Sequence, residues 1–233
     1  MNKVFASVLI FFVSLAVSAQ ERSEAVPLDD LMSPDEIAEE SGFPRTEYSE
    51  VEVNSLQELY NIQGIDVTRE YPLVLFINKD SSGSYAQRMK VIENGVHVGT
   101  WKVSTGRERR EVAKSGKKYF SSTPVGWFTP YTLRRNHYSK TWQAPMPFSI
   151  FFNGGIAIHA TTRGHYRELG SRASGGCVRL TKDNAETLFE MVSKAGRGLV
   201  PVVKRNGGVA RDSSGNVIRE VKWRTLIVVQ KTR

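Results

Sequence analysis

The chain predicts a mainly β domain carrying one clear helix, and three observations point to that class. Leu73-Val74-Leu75-Phe76-Ile77, following Pro72, is an unbroken apolar run of the kind a buried strand needs. Asn94-Gly95 separates residues 89–92 from residues 96–103, and Asn-Gly between two such runs is a strong hairpin signal. Over residues 183–194 the period changes: Ala185, Leu188, Phe189 and Val192 fall at i, i+3, i+4 and i+7. Thr181 stands where it can cap that helix, and Gly196 where it can end it.

The remaining elements follow in order. Residues 20–50 are polar, carry Pro27, Pro34 and Pro44, and predict a tether with one short helix. Ser33-Pro34-Asp35-Glu36 has the form of that helix's start, with Ser33 as cap and Pro34 in the first position. A second short helix is expected over residues 55–62. Residues 125–131 and 149–159 are expected as strands, and residues 200–203 and 225–229 complete the β domain. No internal repeat is present.

Length and charge narrow the function. The chain has 233 residues, 32 Lys and Arg against 24 Asp and Glu, and a formal charge of +8. This composition excludes a fibrous or wholly disordered protein and suits one domain with additions. The charge is divided: residues 20–70 hold 14 acidic and three basic side chains, a net of −11, and residues 71–233 a net of +18. A basic body suits an anionic partner, and nucleic acid is the first class to consider. Residues 1–19 argue against it. Lys3, an apolar run over residues 8–17 and Val17-Ser18-Ala19 before Gln20 have the form of a secretory signal peptide cleaved after Ala19. The apolar run is too short to serve comfortably as a membrane anchor. The expected product is an exported protein of the periplasm or cell wall, monomeric and without a stable membrane anchor. An acidic, partly flexible region spans 20–70, a catalytic domain 71–204, and a β extension 205–233.

The chemistry concentrates in residues 156–180. Cys177, the single cysteine of the chain, follows Ser174-Gly175-Gly176. Glycines before a nucleophile permit a sharp turn and close approach of substrate, and amides at such a turn can donate to a developing oxyanion. The thiolate is the reactive form, so Cys177 needs a base or cation nearby. His159, at the end of an alternating apolar strand, can supply the base, and Arg179 the positive charge. A lone cysteine also serves as a small buried hydrophobe, and a lone strand-end histidine as packing; the residues alone leave both readings open. His159, His165 and Cys177 could together face a zinc ion, yet no metal-ligand spacing accompanies them. No metal and no cofactor are expected.

His159 and, after a gap of 14 residues, Ser174-Gly175-Gly176-Cys177-Val178-Arg179-Leu180 resemble the signature of the L,D-transpeptidase (YkuD) family. That signature is a histidine, a gap, then Ser-His-Gly-Cys with an aliphatic residue and Arg or Asn. Val103-Ser104-Thr105-Gly106, Thr123-Pro124-Val125-Gly126-Trp127-Phe128 and Met146-Pro147 are similar to three further family segments, in the same order. The resemblance covers roughly residues 71–204 and implies a β-sandwich or barrel-like domain with the helix after the cysteine. It further implies an acyltransferase acting on peptidoglycan tetrapeptide stems, with Cys177 as nucleophile and His159 as base. The backbone of Gly176 and Cys177 would form the oxyanion hole, and Ser174 would order the loop. Arg179 would hold the turn or a stem carboxylate, with His165 and Arg163 on the adjoining loop as candidate substrate contacts. Gly175 departs from the pattern, standing where the family commonly has its second histidine. The basic stretch of Arg107, Arg109, Arg110, Lys114, Lys117 and Lys118 is expected to form a lid, and Trp142 and Phe148 are equally suited to the side of the cleft and to the core. An L,D-carboxypeptidase or an inactive wall-binding module are the rival expectations.

Overall fold

The structure is a computed structural model that describes residues 26–48 and 64–231. The signal-like segment and the helix expected over residues 55–62 lie outside the described residues. No described helix is long and apolar enough to cross a membrane.

The acidic leader opens the described chain. Pro27 begins a single turn, α1 (Leu28–Leu31), and Ser33 caps α2 (Pro34–Ser41). The Ser33 hydroxyl accepts from the Glu36 amide, while the Glu36 carboxylate accepts from the Ser33 amide at 2.8 Å, a complete capping box. Gly42 ends α2 in the left-handed conformation. A short α3 (Val67–Glu70) leads into the body.

The body is two sheets packed face to face, neither closed into a barrel. The first has five strands: β1 (Leu73–Asn78), β2 (Arg88–Glu93), β3 (Val96–Lys102), β6 (Gly126–Phe128) and β13 (Thr225–Gln230), in the order β3-β2-β1-β13-β6. Asn94 (φ 50°) and Gly95 (φ 80°) make the β2–β3 turn, which needs two left-handed residues. The second sheet has four: β7 (Thr132–Ser139), β8 (Ala144–Asn153), β9 (Ile156–Ala160) and β10 (Val178–Leu180), in the order β10-β9-β8-β7. Two hairpins stand apart, β4 (Arg110–Val112) with β5 (Lys118–Phe120), and β11 (Arg197–Pro201) with β12 (Arg219–Trp223).

Residues 149–159, expected as one strand, are instead parts of β8 and β9 folded back at Gly154-Gly155. From Phe148 through β9 every strand residue is buried, so the apolar run continues through the turn and hides it. Residues 205–233, expected as an extension, supply β13, which lies between β1 and β6 at the heart of the first sheet. Its pairing with β1 is parallel, Leu75 opposite Ile227.

The core lies between the sheets and under α4 (Lys182–Ala195). Leu73, Leu75, Ile77, Ile150, Phe152, Ile156, Ile158, Val178 and Leu180 meet Ala185, Leu188, Phe189 and Val192 of the helix there. The Thr181 hydroxyl caps α4 by accepting from the Asn184 amide at 3.3 Å. Strand alternation then dictates the rest. With Ile156, Ile158, Val178 and Leu180 facing the core, Ala157, His159, Cys177 and Arg179 must point to the opposite face of the four-stranded sheet. Leu28, Met32 and Ile37 of the leader form a third cluster on that face with Ala144, Met146, Phe151, Ala157 and Cys177. The expected tether is therefore docked over its described length, because its apolar positions have an apolar sheet face to cover.

Candidate active site

The two residue types that the sequence singled out for chemistry share one sheet face. β9 and β10 run parallel, with His159 opposite Arg179 and Ile158 opposite Val178. Cys177 immediately precedes β10, and the Ala157 amide donates to its Sγ at 3.5 Å. The thiol lies 3.7 Å from the Gly155 carbonyl and is wholly covered, 0% exposed. His159 is held from the other side: Nδ1 lies 2.9 Å from the Ala160 carbonyl. A carbonyl can only accept, so Nδ1 carries the proton and Nε2 keeps the lone pair, the tautomer a base requires.

The loop before Cys177 is ordered by its own serine. Ser174 Oγ donates to the Cys177 carbonyl at 2.6 Å and accepts from the Gly176 amide at 3.1 Å. Gly176 is left-handed, φ 143°, and its carbonyl accepts from Thr123 Oγ1 at 2.7 Å. Thr123 also receives the Gly106 amide, at 2.9 Å. The Ser104 amide donates to the Arg179 carbonyl and the Arg179 amide to the Ser104 carbonyl. Thus the segments around Val103–Gly106 and Thr123, noted as motifs in the sequence, buttress the cysteine loop from behind.

Asp29 of the leader is the residue that sequence reasoning did not single out. Its carboxylate lies 2.9 Å from Arg179 Nε and 3.6 Å from His159 Nε2, and the Gly175 amide approaches it at 3.4 Å. Asp30 follows, 2.7 Å from Arg179 Nη2 and 2.7 Å from Arg107 Nη1. Arg107 is steadied by Glu111 at 2.6 Å and by the Ala173 carbonyl. The only prior signal was an Asp-Asp pair of charge opposite to the body. Nothing in its spacing says that it would lie beside His159.

The charges set the titration. Burial pushes the Cys177 thiol well above the usual thiol range, and the Asp29 carboxylate pushes the same way. Burial also lowers His159 below the ordinary imidazole value, against the pull of Asp29. Burial works against the charge of Asp29, yet the Arg179 guanidinium, by charge and hydrogen bond, holds the carboxyl below the usual range. In this state the thiol is protonated and the imidazole neutral. Asp29, His159 and Cys177 place donor atoms within 4.8 Å of one another, but Arg179 already supplies the positive charge that a cation would bring.

The remaining expected residues separate. Arg163 lines a groove of about 310 Å³ with Thr161, Thr162, Tyr166 and Pro147, beside the leader's Pro27. His165, on a 3-10 turn over Arg163–Glu168, pairs its Nδ1 with Thr162 Oγ1 at 2.8 Å. Phe148 belongs to the inter-sheet core, whereas Trp142 packs against the cluster that contains Cys177. The basic stretch does form a hairpin, β4–β5, which rests on the leader: the Lys114 amide donates to the Leu31 carbonyl at 2.9 Å.

Comparison with known proteins bears on this arrangement. A crystal structure of an L,D-transpeptidase from Xylanimonas cellulosilytica is 21% identical, covering 84% of this chain and 68% of that one, with a TM-score of 0.45. An L,D-transpeptidase from Mycobacterium smegmatis is 16% identical over 69% of this chain and 59% of its own, TM-score 0.45. One from Mycobacterium tuberculosis H37Rv is 17% identical over 69% and 58%, TM-score 0.43. This chain spans under three fifths of the length of each mycobacterial protein. No curated protein matches it. Residues 74–204 match the YkuD family, described as the L,D-transpeptidase catalytic domain. That span is more than half of the chain and encloses β1 to β11 together with the whole cysteine loop, so the chain belongs to the L,D-transpeptidase (YkuD) family.

Proposed function

We propose that this protein is an exported L,D-transpeptidase that acts on peptidoglycan tetrapeptide stems through a cysteine acyl-enzyme. The observation that carries the reading is the shared outer face of β9 and β10, where Cys177, His159 and Arg179 converge on a glycine loop. The thiolate of Cys177 attacks the carbonyl carbon of the diaminopimelate residue. The oxyanion collapses, the C–N bond to the terminal D-alanine breaks, and the departing amine takes the proton that His159 removed from the thiol. An acceptor amine then attacks the thioester, gives its proton to His159, and releases the thiolate as the new amide forms. Water in place of the amine would give a tripeptide.

The oxyanion donors are reassigned. The Gly176 amide is engaged by Ser174 Oγ, while the Gly175 amide already faces a carboxylate oxygen. We assign the donor role to Gly175 and the loop-ordering role to Ser174. Arg179, with Arg107 beside it, offers two guanidinium groups to a stem carboxylate. Arg163 lies in the groove that Ala160 and Thr161, next along the chain from His159, also line, a place for the acceptor stem.

Mass spectrometry of products formed from purified tetrapeptide muropeptides tests the reading. Cross-linked dimers that vanish in Cys177→Ala are expected. Tripeptides alone would make the protein an L,D-carboxypeptidase, and unchanged substrate a wall-binding module. Product that persists in Cys177→Ala would remove the nucleophile assignment.

A further inference from the structure

The leader covers the very surface that a substrate would need. Leu28, Met32 and Ile37 bury against the face that carries Cys177. Asp29 and Asp30 take the two guanidinium groups, and the carboxylate of Asp29 also takes the Gly175 amide. Farther along, Glu40 accepts from Ser139 Oγ at 2.8 Å and from the Lys140 amide at 2.8 Å. The Glu47 amide donates to Asn153 Oδ1 at 2.9 Å. Each of these polar contacts is a carboxylate or an extended backbone meeting donors or acceptors of the body, the contacts an acidic peptide ligand would make.

Two glycines show that the body is shaped for this occupant. A Cβ on Gly175 would stand 1.8 Å from the Asp29 carbonyl oxygen, and one on Gly155 would stand 1.8 Å from the Pro34 carbonyl oxygen. Neither glycine is left-handed, so their own backbone tolerates a side chain. What excludes a side chain at both places is the backbone of the leader.

We propose that the acidic leader is a pseudosubstrate strap: Asp29 and Asp30 fill, from within the chain, the Arg107–Arg179 cradle that receives a carboxylate-bearing peptide, and Cys177 becomes reactive only when the strap leaves. The ligand class rests on the peptidoglycan reading above; the covering of Cys177 does not. Departure of the strap removes the buried carboxylate beside the thiol and leaves Arg179 in place. Return of water to the thiol and loss of that carboxylate each favour the thiolate, with Arg179 still beside it. A ligand with its own carboxylates competes for the same guanidinium groups, so the strap sets a threshold that an acidic peptide can cross and a neutral one cannot.

The test uses the full chain, with alkylation of Cys177 by iodoacetamide followed by intact mass, and hydrogen exchange over residues 28–43. Wild type is expected to alkylate slowly. Gly155→Ala, in the β8–β9 turn, and Asp30→Asn, which keeps the side-chain volume, are each expected to raise the rate by about tenfold or more as the closed population falls. Exchange over residues 28–43 is expected to rise with it. A synthetic peptide of residues 26–48 is expected to slow alkylation again in Asp30→Asn. Alkylation that is equally fast in all three proteins would overturn the strap, and so would increased exchange with no change in alkylation. Should Gly155→Ala fail to fold, Asp30→Asn with the peptide decides alone. Variants that alkylate rapidly yet form no muropeptide product would sink the peptidoglycan reading and leave the strap standing.

Discussion

The carboxylate of Asp29 lies 3.6 Å from Nε2 of His159, with both side chains buried, so an imidazole with the tautomer of a base faces an anion of its own chain. The His159 nitrogen has no hydrogen-bond partner among the described residues. Several expectations follow from the charges assembled around this pair.

His159→Gln should lower turnover by about 10²–10⁴-fold, the usual worth of a positioned general base, with a smaller effect on substrate KM. In an Asp30→Asn background, the same change should flatten the rise of Cys177 alkylation with pH. Steady-state kinetics and a pH series of alkylation rates check both. A turnover within about threefold of wild type, against the loss expected for a base, would remove His159 from the mechanism.

Arg179 and Asp29 should behave as a unit. Arg179→Met leaves a buried carboxylate without its guanidinium, a loss on the order of 3–5 kcal/mol. Adding Asp29→Leu should recover most of it, because the charge that needed compensation is gone. Urea denaturation of the two single variants and the double variant measures the coupling. Simple additivity would show that the pair carries no energy of its own.

Acid should weaken the fold before the carboxylates titrate. Burial holds His159 below the ordinary imidazole value of 6.5 and brings His137 down to about 4. Both rings are neutral when folded and take up protons more readily when unfolded. Their stabilisation is therefore complete above pH 6.5 and declines as the pH falls below it, for His137 down to about 4. Below that, Asp29 adds its own loss, since its folded value lies under the ordinary 3.8. Melting temperatures from pH 7.5 to 4 should fall steadily, and His137→Phe should flatten part of the slope. A flat profile in the wild type would contradict the burial of both rings.

A chain ending at residue 204, the limit of the family match, should not fold. It lacks β13, whose Leu226, Ile227, Val228 and Val229 are fully buried between β1 and β6. Burial of each such side chain contributes about 1.5–3 kcal/mol, and four of them approach the whole stability of a domain. Soluble yield and circular dichroism of the truncated chain decide it.

Local signals were legible where a residue type has one dominant use. Asn94-Gly95 forms the expected hairpin turn, Ser33 the expected capping box, and Thr181 to Gly196 the expected helix. His159 and Cys177 were legible as candidates, and strand alternation brings them to one face. The β8–β9 turn was not legible, because residues 148–153 and β9, buried on both faces, show no alternation to interrupt. The place of β13 was not legible either: a parallel pair carries no turn, and its partner lies far away in sequence. The leader showed its charge but not its seat. Opposite charge says that two segments attract, and only packing of Leu28 and Ile37 says where.

The parallel pairing of β1 with β13 also governs when the molecule can come into being. Leu73 and Thr225 are neighbours in the sheet and 152 positions apart along the chain. As the polypeptide emerges, β1 has β2 on one side and an open edge on the other until β13 arrives. Closing so distant a contact is slow, and the exposed edge invites pairing with other chains in the interval. The domain is thus obliged to fold only once β13 has been made, and a chain cut short of it has every strand of the first sheet except the one that joins β1 to β6.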